Sequence, residues 1–298
     1  MSRDERQGLL YVALAVFFFS TSPVFIVWAD PIDPFIKTWG RMLVAALAVG
    51  GLAWLTRDRA RDEGMAAGVA ARSRGNSTLR FLTYGLVAAL HFLFYISSLS
   101  FTTAAHALSL IYTAPIFVAL FSALFLKEQL RSRQWAGIGV TVLGVAILAG
   151  LEPHMDLEMA FGDLLALISA VMFGLYSVAG RYERERYPLL VYASRVYWSA
   201  TLWLLPLALF TIPRMSPEAW DWTKLGAIAA VGLLSGALGH TLYNASLRRT
   251  HAAYVNIIAS QEVTGGIILS WIFLSQVPTP NSIAGALVTL VGIGLVLR

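Results

Sequence analysis

Ten apolar runs, each close to the length that crosses a bilayer, follow one another along this chain with little between them. A helix rises 1.5 Å per residue, so about 20 apolar residues cover the roughly 30 Å hydrocarbon core of a membrane. The runs fall at 9–28, 34–55, 79–99, 102–126, 133–150, 161–180, 188–211, 222–247, 250–274 and 281–297. Inside lipid every backbone N–H and C=O must be satisfied within the protein, and runs of this length do so as α-helices. The expected fold is therefore an all-α integral membrane protein of ten transmembrane helices. Charged residues make up only 13% of the chain, against about 25% in soluble domains. That is too little to cover a water-facing surface, which excludes a soluble enzyme and leaves no room for a sizeable domain outside the bilayer. The first run is long enough to be a span and is not read as a cleavable signal. With no Cys in the chain, disulfides, thiolate nucleophiles and Cys-type metal sites are excluded.

The basic residues set the orientation. If the spans alternate, seventeen of the 22 Lys and Arg lie on the side of the N-terminus. Three, Lys37, Arg214 and Lys224, lie on the other side, and Arg41 and Arg195 fall inside spans. The positive-inside rule then puts both termini in the cytoplasm, and the expected location is the inner membrane of a bacterium. It also accounts for the pI near 9.6 through basic loops, so no nucleic-acid partner is expected. The loop at 57–77, rich in Arg, Ala, Gly and Ser, is expected to be mobile.

The two halves repeat. Residues 8–46 align with 162–200 at an offset of 154, pairing Gly8 with Gly162, Phe19 with Phe173, Pro34 with Pro188 and Arg41 with Arg195. Residues 95–149 align with 243–297 at an offset of 148, pairing Tyr95 with Tyr243, Thr102 with Thr250, Gly137 with Gly285 and Gly144 with Gly292. Five spans per repeat is an odd number, so the second repeat (151–298) enters the membrane from the opposite face to the first (1–150). Inverted duplication points to alternating-access transport, with a site near the midplane between the repeats.

The stretch Ala104–Ala105, Pro115, Phe125–Leu126–Lys127–Glu128, Gly137 and Gly144, together with Arg41, resembles the drug/metabolite transporter superfamily, and within it the EamA-type ten-helix carriers. The similarity covers nearly the whole chain. The second copy departs from it: Val263 stands where Pro115 has its partner, and Gln276 replaces the partner of Glu128. The resemblance implies inward- and outward-facing states and small-molecule substrates, often exported amino acids or other metabolites.

Few residues inside the spans can carry chemistry. Glu262 is the one carboxylate that cannot be placed in a loop or at a helix end, and an ionised group at the midplane costs about 2.5–3.5 kcal/mol on insertion scales. It is expected to accept a coupled proton or bind a substrate ammonium, or else to pair structurally with Arg41 or Arg195. Those two Arg could hold a carboxylate bidentately or gate the pathway, or snorkel. Helical spacing gathers polar side chains on shared faces: His91, Tyr95 and Ser98; His106, Ser109 and Thr113 with Tyr112 beside them; His240, Tyr243 and Asn244; Asn256 and Ser260, with Gln261 next to them. With Tyr176, these line the expected substrate cavity, the aromatic rings stacking on apolar parts of a substrate. Pro115 and the Gly265–Gly266 pair mark expected hinges, and Pro23 and Pro206 expected kinks. The small-residue stripes of the fifth and tenth runs suit close packing at the periphery. No metal spacing, cofactor motif or nucleotide-binding loop is found.

The sequence thus favours a secondary transporter of small amphipathic or zwitterionic metabolites, most of all an exporter of amino acids, aromatic ones included. An exporter of cationic drugs, a channel and an integral-membrane enzyme are the competing readings.

Overall fold

The computed structural model describes residues 3–56, 77–102, 104–128, 130–149, 156–275, 277 and 280–297. Among them the chain forms ten helical spans. These are α1 (Arg3–Ser20, continued by Ser22–Trp28), α2 (Pro34–Leu55), α3 (Ser77–Ser98), α4 (Ala104–Ile111, Ala114–Phe121 and a π-helical turn, Ser122–Leu126) and α5 (Ser132–Ala149). The second set is α6 (Leu157–Tyr182), α7 (Leu189–Thr211), α8 (Trp222–Val231, a π-helical stretch Gly232–Gly239, and His240–Leu247), α9 (Ala252–Ala259 and Glu262–Leu274) and α10 (Pro280–Leu297). Seven of them are long and apolar enough to cross a bilayer unaided. The shorter or less apolar α4, α5 and α10 complete two sets of five. The loop expected at 57–77 and Gln276 lie outside the described residues, apart from Ser77, which opens α3.

Local chemistry starts several helices at the end of the bundle opposite the N-terminus. Asp33, Asp156 and Asp221 each stand at an N-cap, their carboxylates accepting from the backbone N–H of Phe35 (2.8 Å), Met159 (2.8 Å) and Lys224 (2.9 Å). Each cap satisfies one of the orphan donors of a helix start.

The inverted repeat is visible in the contacts. α1 packs on α8 and α9, and α6, its counterpart, packs on α3 and α4. A Cβ at Gly8 would lie 3.3 Å from Thr250 at one end of the bundle, and a Cβ at Gly162 would lie 2.9 Å from Thr102 at the other. Both residues of each pair are repeat counterparts. α5 and α10 pair with each other: a Cβ at Gly137 would meet the carbonyl of Gly292 at 2.9 Å, and one at Gly144 the carbonyl of Gly285 at 2.8 Å. The exchange of partners is that of a two-fold axis. The helix ends repeat as well. Lys127 and Ser275, 148 residues apart, both adopt left-handed conformations (φ 57° and 58°), and their N–H groups bond back to Ser122 and Ser270.

α4 and α9 break at equivalent places, Tyr112–Thr113 and Ser260–Gln261. Pro115 accounts for the first, because it lacks an N–H and crowds the preceding turn. α9 breaks without a proline, four residues before Gly265. The interruption expected at Gly265–Gly266 is therefore displaced: those glycines lie inside Glu262–Leu274, where a Cβ at Gly265 would stand 2.1 Å from Ser20 Oγ. The pair lets α9 press against α1 beside its own break at Thr21. Pro23 stands in the first turn of the segment after that break, whereas Pro206 lies within the unbroken α7.

Candidate functional site

Where the breaks of α1, α4 and α9 and the π-helical stretch of α8 converge, the bundle encloses a chamber. It is bordered by Phe19 and Ser22 of α1, Arg41 of α2, His91, Phe92 and Tyr95 of α3, and Leu108, Ile111 and Tyr112 of α4. Phe173 of α6, Ser235 and His240 of α8 and Glu262 of α9 complete it. The free space is about 20 Å³, enough for a water and too little for a metabolite. Most of these residues sit in the middle of their helices or in the half away from the N-terminus.

A guanidinium and a carboxyl group face this space. Arg41 is fully enclosed (1% exposed). Its guanidinium lies 4.5 Å above the Phe92 ring and donates from Nη2 to Ser235 Oγ at 3.3 Å. Its Nε and Nη1 have no hydrogen-bond partner among the described residues. Glu262, at the start of the second segment of α9, accepts from the Tyr112 hydroxyl across the two helix breaks. Rings close the sides. His91 stacks on Phe173 (4.7 Å, 11°), with its Nδ1 held by Ser169 Oγ at 2.9 Å. His240 lies 4.5 Å from Phe19 and 4.7 Å from Phe92.

Between the chamber and the Arg-rich end lies a layer of mutually bonded polar side chains. Asn244 donates to the Tyr176 hydroxyl (2.5 Å), Ser177 and Tyr243 share a hydrogen bond (2.6 Å), and Asn256 donates to the Tyr243 hydroxyl (3.1 Å). Beyond it, two carboxylates, the half-buried Glu128 and the buried Glu183, tie the Arg-rich ends of the helices together. Glu128, in the loop after α4, takes Arg181 of α6 at 2.8 Å and His251, before α9, at 3.4 Å. Arg181 also donates to the carbonyl of Leu247 at the end of α8 (3.0 Å). Glu183, wholly buried, accepts from Tyr84 (2.8 Å) and pairs with Arg80 (3.2 Å) and Arg186 (3.5 Å). Burial pushes the Glu128 carboxyl up, but His251 and Arg181 together outweigh it and hold it below the usual carboxylate range.

The expected site residues therefore divide. His91, Tyr95, Tyr112, His240, Arg41 and Glu262 border the chamber. Tyr176, Tyr243, Asn244 and Asn256 form the layer beneath it. Thr113 and Ser260 spend their hydroxyls on the carbonyls of Leu110 and Ile257 (both 2.6 Å) at the helix breaks, and Gln261 follows Ser260 there without bordering the chamber. The side chain of Ser109 lies outside the described ones. Arg195 lies within α7 as expected but is exposed, its guanidinium 5.2 Å and 5.4 Å from the rings of Phe81 and Tyr187. The alternative of a structural pair between Arg195 and Glu262 does not form. Arg41 and Glu262 share the chamber without an ion pair between them. Sequence reasoning missed the aromatic walls and the two carboxylate ties. The pairing of Phe19 with Phe173 across the repeats was the available signal for the walls, and the family-like Leu-Lys-Glu ending at Glu128 for one tie.

This architecture is shared. A solved structure described only as a crystal structure of a protein superposes with a TM-score of 0.73 at 22% identity, covering 97% of this chain and 95% of its own. The model of the EamA-like transporter family matches twice, at 6–150 and 160–298. The pseudopaline exporter of Pseudomonas aeruginosa is 30% identical over 230 residues, 76% of each chain. A probable terminal-alkyne amino-acid exporter of Streptantibioticus cattleyicolor is 28% identical over 63% of this chain and 62% of its own length. A riboflavin transporter of Rhizobium johnstonii is 25% identical over 67% of this chain and 63% of its own.

Proposed function

The chain belongs to the EamA-like transporter family, and from that premise we propose that it exports small zwitterionic metabolites, amino acids foremost, by alternating access across a bacterial inner membrane, with both termini in the cytoplasm. The observation that carries this reading is the juxtaposition of Arg41 and Glu262 in one ring-walled chamber at the helix breaks. A guanidinium with free N–H groups suits a carboxylate. A carboxylate opposite it suits an ammonium, and the rings of Phe19, Phe92, Phe173 and His240 suit an apolar or aromatic side chain. Wider opening of the breaks in α1, α4 and α9 admits the substrate, and the Tyr–Asn layer with the Glu128 and Glu183 ties closes the far end. Glu262 is the candidate for proton coupling. A relative named as a probable terminal-alkyne amino-acid exporter supports the substrate class, and one named as a pseudopaline exporter supports the direction of transport.

The test is counterflow in proteoliposomes loaded with neutral amino acids, their methyl esters, the corresponding amines or quaternary ammonium compounds. Intact zwitterions should exchange, esters and amines should not, and Arg41→Ala should abolish exchange of the zwitterions. Transport of quaternary amines with no response to amino acids would replace this reading with that of a cationic-drug exporter.

A further inference from the structure

Repeat symmetry exposes a second cleft, remote from the chamber. In the half of the bundle away from the N-terminus, the groove between α1 and α9 is filled by the protein's own rings. Phe25 packs on Trp28 (5.5 Å), and Trp28 on Phe273 (6.0 Å, 89°). The counterparts of these residues at the Arg-rich end are Ala179, Tyr182 and Phe125. There the ring of Phe25 is replaced by a methyl group. Tyr182 is also drawn away from Phe125: Arg186 lies 4.5 Å over its ring and donates to its hydroxyl at 3.2 Å. What remains is a cleft of about 500 Å³ between α3, α6 and the end of α4, walled by Val87, Leu175, Val178, Ala179 and Phe125 and bordered by Tyr84. Its walls are apolar, and it lies on the side of the bundle that carries exposed Phe125 and Tyr182. A polar rim of Arg184, Glu185 and Arg186 adjoins it, sharing Phe125 and Tyr182 with the cleft. Arg184 pairs with Glu185 at 3.3 Å, and Arg186 and Arg80 share Glu183 at 3.5 Å and 3.2 Å, so three cations meet two carboxylates and the rim keeps a net positive charge.

We propose that this cleft binds an anionic glycerophospholipid from the leaflet on the Arg-rich side, one acyl chain lying along Ala179 and Val87 and the phosphate resting on Arg184 and Arg186. An apolar slot capped by cations at the membrane surface matches a lipid with a charged headgroup. A free phosphate would leave the slot unfilled, and a neutral lipid would leave the rim unanswered. The position of the cleft gives the lipid a lever: its walls belong to α3 and α6, which Glu183 ties together through Arg80 and Tyr84.

The experiment uses the purified full chain in detergent, titrated with palmitoyl-oleoyl phosphatidylglycerol, phosphatidylcholine of the same chains, or glycerol phosphate. Retention is read by native mass spectrometry and stabilisation by the thermal unfolding midpoint. Phosphatidylglycerol should be retained in preference to phosphatidylcholine, and glycerol phosphate should have no effect. Ala179→Phe, which installs the counterpart residue, displaces about two methylenes of the chain and should weaken phosphatidylglycerol binding on the order of tenfold. Arg184→Gln with Arg186→Gln should reduce phosphatidylglycerol to the level of phosphatidylcholine. If Ala179→Phe does not fold, Ala179→Leu carries the same test. Undiminished retention in a folded cleft-filling variant, equal retention of the two lipids by the unaltered protein, or equal stabilisation by glycerol phosphate would each overturn the proposal.

Discussion

Glu262 and Glu128 show how one residue type serves two ends within a single bundle. Glu262 meets one hydroxyl, that of Tyr112, in a chamber it shares with Arg41. A Gln in its place keeps an acceptor for Tyr112 and removes only the titratable charge. Glu262→Gln should fold normally, exchange zwitterions with weakened affinity and lose the response to an imposed pH gradient in proteoliposomes; unchanged gradient-driven transport would exclude it as the proton carrier. Glu128 accepts from Arg181 at one oxygen, and His251 stands 3.4 Å from the other. Its carboxyl is held below the usual range by those partners against the opposing effect of burial. A depressed folded-state value means that its contribution is fully present above the unfolded value and is lost as pH falls through the folded one. Glu128→Gln should therefore cost about 1–3 kcal/mol at neutral pH. The difference between variant and parent in thermal midpoint should vanish on acidification below the carboxylate range.

At the scale of the element, small residues decide how closely helices approach, and breaks decide where they open. In lipid there is little hydrophobic drive between helices, so contact rests on shape. α5 and α10 meet through Gly137, Thr141 and Gly144 facing Gly285, Thr289 and Gly292, with backbone atoms in direct reach. A methyl group at Gly144 would stand 2.5 Å from the backbone nitrogen of Thr289, whereas one at Gly139, on the same helix, meets nothing within 4 Å. Gly144→Ala should thus destabilise by about 1–3 kcal/mol through overpacking. Gly139→Ala should be neutral or slightly stabilising, because Ala is the better helix former. Thermal unfolding of the two variants side by side separates packing from helix propensity. The breaks in α4 and α9 show the opposite use of local irregularity. Tyr112 and Glu262 meet because both helices are interrupted at equivalent positions, and interrupted helices near the midplane are where transporters of inverted-repeat design place their sites.

For the whole molecule, the two-fold relation of the repeats is broken on purpose-built surfaces. The Arg-rich end carries the Glu128 and Glu183 ties, whereas the positions of Arg181 and Glu183 correspond in the first repeat to Val27 and Ala29. One end is thus held by carboxylate ties between helices, whereas the other combines the apolar cluster of Ala29, Ile32, Ile36, Ala227 and Ile228 with the local pairs Lys37–Asp30 and Lys224–Asp221. The absence of native Cys makes the asymmetry directly measurable. Ser22→Cys, bordering the chamber, should react with a membrane-impermeant thiol reagent supplied from the side opposite the termini. Ser177→Cys, in the Tyr–Asn layer, should resist the reagent from that side. A reporter fused to the C-terminus should be active in the cytoplasm. Reaction of Ser22→Cys only from the side of the termini would reverse the assignment of the closed end.

What the linear order of residues determined was everything that depends on local period or on sums over a segment. Run length set the spans, the Lys and Arg distribution set the expected sidedness, and two constant offsets revealed the repeats. Proline placed the break in α4, though not the one in α9, and helical spacing drew His91, Tyr95, Tyr112 and His240 toward a common interior. What only the tertiary structure decided was which of these side chains meet. Arg41 finds Ser235 across 194 residues and Tyr112 finds Glu262 across 150. Arg195, its repeat counterpart notwithstanding, turns out to the surface. Inside a membrane both the buried and the lipid-facing sides of a helix are apolar, so hydropathy offers no contrast from which to read a helix's rotation or depth. Those are set by the shape of neighbouring helices far away in sequence. For the same reason the Phe19–Phe92–Phe173 walls, and the ties of Glu128 and Glu183 to their basic partners, emerge only once the helices are packed.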